Sequence, residues 1–151
     1  MARSEIKKVS ILNRRAHHDY EIMETVEAGL VLSGPEVKSV RTGSASLAEA
    51  FGRVDRGEVH LYNMYIAPYA PSREEGDPRR PRKLLLHRAE IRKLENGLQH
   101  GLALIPLRLY FRKNWAKVEL ALGRGRRKYD KRERIKTREA EREIKRSISR
   151  R

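Results

Sequence analysis

The chain of 151 residues has no cysteine. That excludes disulfides and thiolate metal sites, and it fits a reducing compartment, here expected to be the cytoplasm. Large aromatic residues are scarce, with one tryptophan and two phenylalanines beside six tyrosines. No stretch approaches the ~18 consecutive apolar residues of a membrane span. The opening MARSEIKK is charged with no apolar run behind it, so no secretory signal is expected. No repeat recurs at solenoid or propeller periods.

Catalytic patterns are incomplete. Gly29 and Gly34 have the spacing of a phosphate-binding loop, but Pro35-Glu36 stands where Lys-Ser/Thr is needed, so nothing reaches a γ-phosphate. There is no dinucleotide fingerprint. His17 and His18 with Asp19 suggest a metal pair or a base with its orienter. On a strand, however, adjacent side chains point to opposite faces, which argues against one shared metal. His60, His87 and His100 are scattered. A histidine in this setting better suits stacking on a base or touching a phosphate. No metal, cofactor or catalytic residue is expected, and the chain is read as a non-enzyme.

Positive charge is abundant. The net charge is +15, and arginine outnumbers lysine 24 to 11. Guanidinium grips phosphate bidentately and stacks on bases, so nucleic acid is the leading partner. An anionic membrane is disfavoured because no basic segment has a broad apolar face. Residues 124–151 hold fourteen Lys/Arg against five Asp/Glu and only three isoleucines. That segment cannot repay its own ordering entropy. Asp130 with Arg134 and Glu141 with Lys145 are i,i+4 pairs, and Ala140, Ile144 and Ile148 form a thin apolar stripe. The expectation is a tail, residues 124–151, that is disordered alone and helical on RNA, following a folded domain of residues 1–123.

Within the domain, Tyr20, Ile22, Val26 and Ala28 alternate with Glu21, Met23, Thr25 and Glu27, which predicts a strand. Ser33 and Pro35 suit a helix start, with Glu36, Val37 and Val40 in its first turns and Gly43 at its end. Phe51–Val54 and Val59–Tyr65 read as strands around the hairpin turn Asp55-Arg56-Gly57. Residues 67–82, with four prolines, read as an exposed loop. Leu84, Ile91, Leu94 and Leu98 predict an amphipathic helix of about fifteen residues. Leu107, Leu109 and Phe111 alternate with Arg108, Tyr110 and Arg112. Ala116, Val118, Leu120 and Leu122 alternate with Lys117, Glu119 and Ala121. Asn114 bends the chain between these last two strands. The fold class expected is mainly β: an oligonucleotide-binding-type small β-barrel with flanking α-helices and a basic C-terminal tail. A ferredoxin-like sandwich is the alternative.

Candidate RNA contacts are the basic clusters Asn13-Arg14-Arg15, Lys38 with Arg41, and Arg79-Arg80 with Arg82-Lys83. Tyr20, Tyr62, Tyr65, Tyr69 and Tyr110 lie between them. The residues alone leave Glu27 open, as a solvated carboxylate or as an acceptor for base amino groups.

Read in order, several blocks resemble the small protein B family, the tmRNA-binding proteins of bacterial trans-translation. They are Asn13-Arg14-Arg15-Ala16 with His18-Asp19-Tyr20; Glu27 to Leu30 with GPEVKSVR at 34–41; Asp77-Pro78 with RKLLLHR at 82–88; Tyr110-Phe111 with WAKV at 115–118; and GRGRRKYDKR at 123–132. The resemblance implies a barrel that clasps the tRNA-like domain of tmRNA and delivers it to a stalled ribosome. It implies contacts at Asn13, Arg14, His18, Glu27, Lys38, Arg82, Lys83, Leu86 and His87, to which the clusters add Arg15, Tyr20 and Arg41. It also implies a tail entering the vacant mRNA path and decoding site of the small subunit, beside 16S rRNA. Gly125, Tyr129, Asp130, Lys131 and Arg132 match there, followed by the stretch with Lys136, Arg138 and Arg142. The resemblance further implies EF-Tu as an indirect partner through aminoacylated tmRNA. The competing expectations are a structural ribosomal protein with a basic extension and a nuclease using residues 17–19.

Overall fold

The computed structural model describes residues 10–69 and 76–126. Nine strands and three helices follow in the order β1 (Ser10–Leu12), α1 (Ala16–Asp19), β2 (Tyr20–Leu30), α2 (Gly34–Arg41), β3 (Ala45–Ser46), β4 (Phe51–Asp55), β5 (Glu58–Tyr62), β6 (Tyr65–Ile66), β7 (Arg82–Leu85), α3 (Arg88–Gln99), β8 (Ala103–Arg112) and β9 (Trp115–Gly125) among the described residues. Strands β8, β4, β5, β7, β2 and β9 pair in that sequence, and β9 pairs back onto β8. The sheet is therefore a closed ring, all of it antiparallel. Closure removes the exposed edges that would invite further pairing. β1 lies along β8, and β3 with β6 makes a separate two-stranded sheet.

Local chemistry explains the turns. Arg56 and Gly57 both take positive φ, 52° and 78°, the twist-matched geometry of a two-residue hairpin. Lys113 and Asn114 do the same between β8 and β9 at 50° and 66°. At α2, the Ser33 hydroxyl accepts from the Glu36 N–H, and Glu36 Oε1 accepts from the Ser33 N–H at 2.9 Å, a reciprocal cap.

The interior is aliphatic. Val59, Leu61, Leu84, Leu104, Leu109, Val118 and Leu120 are buried at its centre. α3 joins this core through Leu94. Gly97 on the same helix lies so near the barrel that an added Cβ would stand 2.7 Å from Leu122 Cδ1. A second, smaller cluster of Ala16, Ile105, Leu107 and Ala121, with Tyr20 and Ile22 against it, seats α1 against the barrel.

The two clusters correct the expected alternation. A β-bulge between Ile22 and Glu24 shifts the register of β2 against β9, and a second lies between Pro106 and Arg108 on β8. Tyr20 and Ile22 therefore join the outer cluster while Val26 and Ala28 join the core. Leu107 likewise separates from Leu109 and Phe111. An extra residue in one strand reverses the facing of everything before it. The alternation on β9 is as expected, with Ala116, Val118, Leu120 and Leu122 in the core.

Four further differences concern elements. Leu84 belongs to strand β7, and the helix begins at Arg88, where Glu90 Oε1 accepts the His87 N–H at 2.9 Å. The strand expected at Val59–Tyr65 stops at Tyr62, because Asn63 takes φ 62°. The ring has six strands rather than about five, the added one being β7. β9 runs to Gly125, two residues past the expected end of the domain.

Candidate functional site

The outer face of β2, β9 and β8 carries an ionic network. Glu27 on β2 lies directly opposite Glu119 on β9. Like charges in that relation repel. Two arginines offset the repulsion: Arg108 Nε sits 3.3 Å from Glu119 Oε2, and Arg112 Nη1 sits 3.3 Å from the Glu27 carboxylate. Arg108, Tyr110 and Arg112 are alternate residues of β8, so they share this face. The Tyr110 hydroxyl donates to Glu27 Oε2. Its ring carries the Arg108 guanidinium at 4.8 Å and that of Arg112 at 5.9 Å. Tyr110 is only 2% exposed. Burial, then the bond to Glu27 and its charge, push the phenol up to about 12.

Beside this network opens a cleft of about 790 Å³, bounded among others by Glu27, Leu86, His87, Asn114, Trp115 and Lys117. Val31, Leu85 and Trp115 expose apolar surface around it, Trp115 being 70% exposed. Arg41 on α2 reaches the rim, stacked 4.6 Å from the Phe111 ring centroid and 3.4 Å from Asn114 Oδ1. Lys38 lies over Tyr69 at 5.3 Å.

A second cleft gathers Asn13, Arg14, Arg15 and Tyr20. Asn13 is anchored: its Nδ2 donates to the Pro106 carbonyl at 2.9 Å and its N–H to that of Leu107 at 2.8 Å. Arg14 and Arg15 are exposed. His17 and His18 lie on α1 rather than on a strand, and His18 Nδ1 is 3.0 Å from Asp19 Oδ1. Of the expected contacts, Glu27, Leu86 and His87 share one cleft and Asn13, Arg14, Arg15 and Tyr20 the other, while His18, Lys38, Arg41 and Lys83 line neither.

Arg82 requires correction. It is 1% exposed, with Nε donating to Glu36 Oε2 at 2.7 Å and its other nitrogens to the carbonyls of Met64, Arg80 and Pro78. All of its directional capacity is spent inside the protein, so it is an interior strut and no phosphate contact. Lys83, its neighbour on β7, is exposed and pairs with Glu58 at 3.3 Å. Gly125, expected in the tail, pairs with Tyr20 as the last residue of β9. Tyr129, Asp130, Lys131, Arg132, Lys136, Arg138 and Arg142 lie outside the described residues.

The network's other members escaped the sequence reading of individual contacts. Arg108 and Arg112 were legible only as the polar side of an alternating strand. Trp115 carried one signal, as the chain's single tryptophan. Among the described residues no group of three or more His, Asp or Glu could hold a metal ion.

Fold and surface together define a class: a small closed β-barrel whose outer face sets arginines on aromatic rings beside two clefts. Residues 10–150 match the family described as SmpB protein. An SsrA-binding protein of Geobacillus kaustophilus (strain HTA426) is 53% identical over 143 residues, covering 93% of this chain and 92% of that protein. One from Desulforudis audaxviator (strain MP104C) is 54% identical over 149 residues, covering 97% of each. A chain in a solved structure concerned with tmRNA-SmpB and the bacterial ribosome superimposes with a TM-score of 0.66 at 52% identity, covering 77% of this chain and 83% of that one. The chain belongs to the SmpB family.

Proposed function

We propose that this protein binds tmRNA through its tRNA-like domain and brings it to stalled ribosomes for trans-translation, without catalysing a reaction itself. The observation that carries this reading is similarity along nearly the whole chain to SsrA-binding proteins, at half identity or better. The physical ground is the surface described above. Phosphate contacts supply affinity, and a tRNA-like RNA is recognised by shape and stacking more than by base sequence. Arg14, Arg15, Lys38 and Arg41 are exposed cations for the backbone. His87, Leu86 and Trp115 line a cleft that admits an unstacked base, with Glu27 as an acceptor at its edge. The basic segment of residues 126–151 is assigned the empty mRNA path and decoding site of the small subunit, where a cationic peptide meets a channel walled by RNA. EF-Tu enters only through aminoacylated tmRNA.

The test is a competition gel shift at physiological ionic strength with tmRNA, an ordinary tRNA and duplex RNA of equal length. Preferential displacement by tmRNA is expected, and equal displacement by all three would refute the assignment.

A further inference from the structure

The cleft at Glu27 ends against a second carboxylate. Along β9 the outward side chains run Trp115, Lys117, Glu119. Trp115 and Lys117 line the cleft together with Glu27. Glu119 comes next on the strand, and in register it lies between Glu27 on β2 and Arg108 on β8. The cleft thus opens at an indole, passes a cation and closes at two partly exposed carboxylates. Glu27 is fixed by the Tyr110 hydroxyl and by Arg112. Glu119 is held, among the described residues, by Arg108 alone, whose guanidinium also leans on the Tyr110 ring.

A partly exposed ion pair such as Arg108–Glu119 contributes little to folding. An acid directly across from Glu27 works against the sheet by repulsion. Position 119 is also a poor place for an acid on a face that grips phosphate. Its effect is electrostatic: the two carboxylates and their two arginines make a neutral spot on a chain of net charge +15. Phosphate is drawn to the cations around that spot and turned away from it. We infer that Glu119 is a specificity-determining residue: with Glu27 it closes the cleft to a continuous phosphate backbone, so the cleft takes an unpaired base and refuses a duplex. This deepens the proposed function and rests on it. A duplex offers an unbroken phosphate track and keeps its bases stacked, whereas a looped-out base brings amino groups to Glu27 with its own phosphate left outside. Discrimination then comes from an element that penalises the wrong RNA, beside the contacts that favour the right one.

Glu119→Gln tests it, because the amide keeps the side chain's size and an oxygen for Arg108. Affinities of the full chain for duplex RNA and for the tRNA-like domain are measured by gel shift over a range of salt. Duplex affinity is expected to rise about fivefold at physiological ionic strength, and its logarithmic salt slope to steepen by about one, the mark of one added phosphate contact. The tRNA-like domain, already seated against Glu27, gains less, so the preference for it shrinks. Arg108→Gln uncovers the Glu119 charge and is expected to widen the preference instead. Glu95→Gln, the same charge change at an exposed site on α3 outside the cleft, is expected to leave the preference as it was. An unchanged preference in Glu119→Gln, a narrowed one in Arg108→Gln, or an equal loss in Glu95→Gln would each overturn the inference, the last by showing that only total charge matters. Failure of the parent reading is distinguishable: it shows as a wild-type protein with no preference for the tRNA-like domain at all.

Discussion

The phenol of Tyr110 on β8 reaches over β9 to bond the carboxylate of Glu27 on β2, tying three strands on one face of the barrel. One carboxylate oxygen is thereby oriented and the charge is shared with Arg112. Glu27 is a held group rather than a solvated one. The raised phenol has a consequence for alkaline stability. Below pH 10, the ordinary tyrosine value, the hydroxyl is neutral in both states and its stabilisation is fully present. Between there and about 12 the unfolded chain ionises while the native one does not, so stability falls. The loss is on the order of 2 kcal/mol. Chemical unfolding at stepped pH should show this decline in the wild type and a flatter curve in Tyr110→Phe.

Glu27→Gln keeps an acceptor for Tyr110 but removes the charge that faces Arg112. The fold should survive, since the network lies outside the barrel core. Affinity for the tRNA-like domain should drop by about tenfold or more if a charged acceptor is what meets the RNA, charged hydrogen bonds being worth ~1.5–3 kcal/mol. Gel shift with the isolated domain measures it. Unaltered affinity together with an unaltered melting temperature would remove Glu27 from the interface.

Arg82 and Glu36 make the opposite case, a charge pair that serves the fold. Burial alone would raise the Glu36 carboxyl. The Ser33 N–H bond and the guanidinium groups of Arg80 and Arg82 more than offset this and hold it below its ordinary value. A lowered carboxyl contributes stability that is present above the unfolded value of 4.5 and is lost as pH falls below it. Arg82→Met should cost roughly 3–5 kcal/mol, because it strands a partly buried carboxylate and the Met64 carbonyl. The double variant with Glu36→Gln should recover part of that loss, and its urea unfolding midpoint should fall less on acidification than the wild type's. Additive losses in urea unfolding would show that the pair is not coupled.

How far the sequence reveals this depends on the element. β9 was legible because Ala116, Val118, Leu120 and Leu122 keep strict alternation against Lys117 and Glu119. β2 and β8 were half legible. Their bulges at Ile22/Glu24 and Pro106/Arg108 reverse facing, and only Pro106, which cannot donate to a ladder, signals one of them. β7 was lost to coincidence, since Leu84 falls at helical spacing from Ile91. The true helix start, His87 with Glu90, carries a cap that is readable only once the strand before it is known. At the candidate site, Glu27 stood out as an acid on a basic chain, and the exposed arginines were visible as clusters. Arg82 was misread because an arginine in a basic run looks like surface. Its burial depends on Glu36, forty-six residues away, and on three carbonyls no pattern encodes.

Gly52 is the single register pair by which β4 meets β8. A Cβ there would stand 2.5 Å from Leu104 Cδ2 and 2.8 Å from its Cγ, and Leu104 is buried in the core. Gly52→Ala should therefore destabilise by about 1–3 kcal/mol despite alanine's lower unfolded-state entropy. The strain falls where the ring closes. Hydrogen exchange should show amides of β4 near Gly52 losing protection before those of the β8–β9 hairpin. Uniform loss of protection would place the closure elsewhere.

Trp115 offers a direct reading of the cleft. It opens β9 just after the Lys113-Asn114 turn, its indole largely exposed beside Val31 and Leu85. Tyr110 and Phe111 carry guanidinium groups on their rings; no such cation lies over Trp115 among the described residues. A rigid aromatic face left open at the mouth of a cleft is a stacking platform, and each base so stacked is worth ~1–3 kcal/mol. Trp115→Ala should weaken binding of the tRNA-like domain by that amount and leave stability unchanged within about 0.5 kcal/mol, as expected for an exposed side chain. Because the chain has no other tryptophan, its fluorescence reports on this position alone. Adding the tRNA-like domain should quench the emission with the same midpoint as the gel shift, while an ordinary duplex RNA, whose bases stay stacked, should quench it far less. Equal quenching by both RNAs would show that Trp115 senses nearby phosphate and not a captured base.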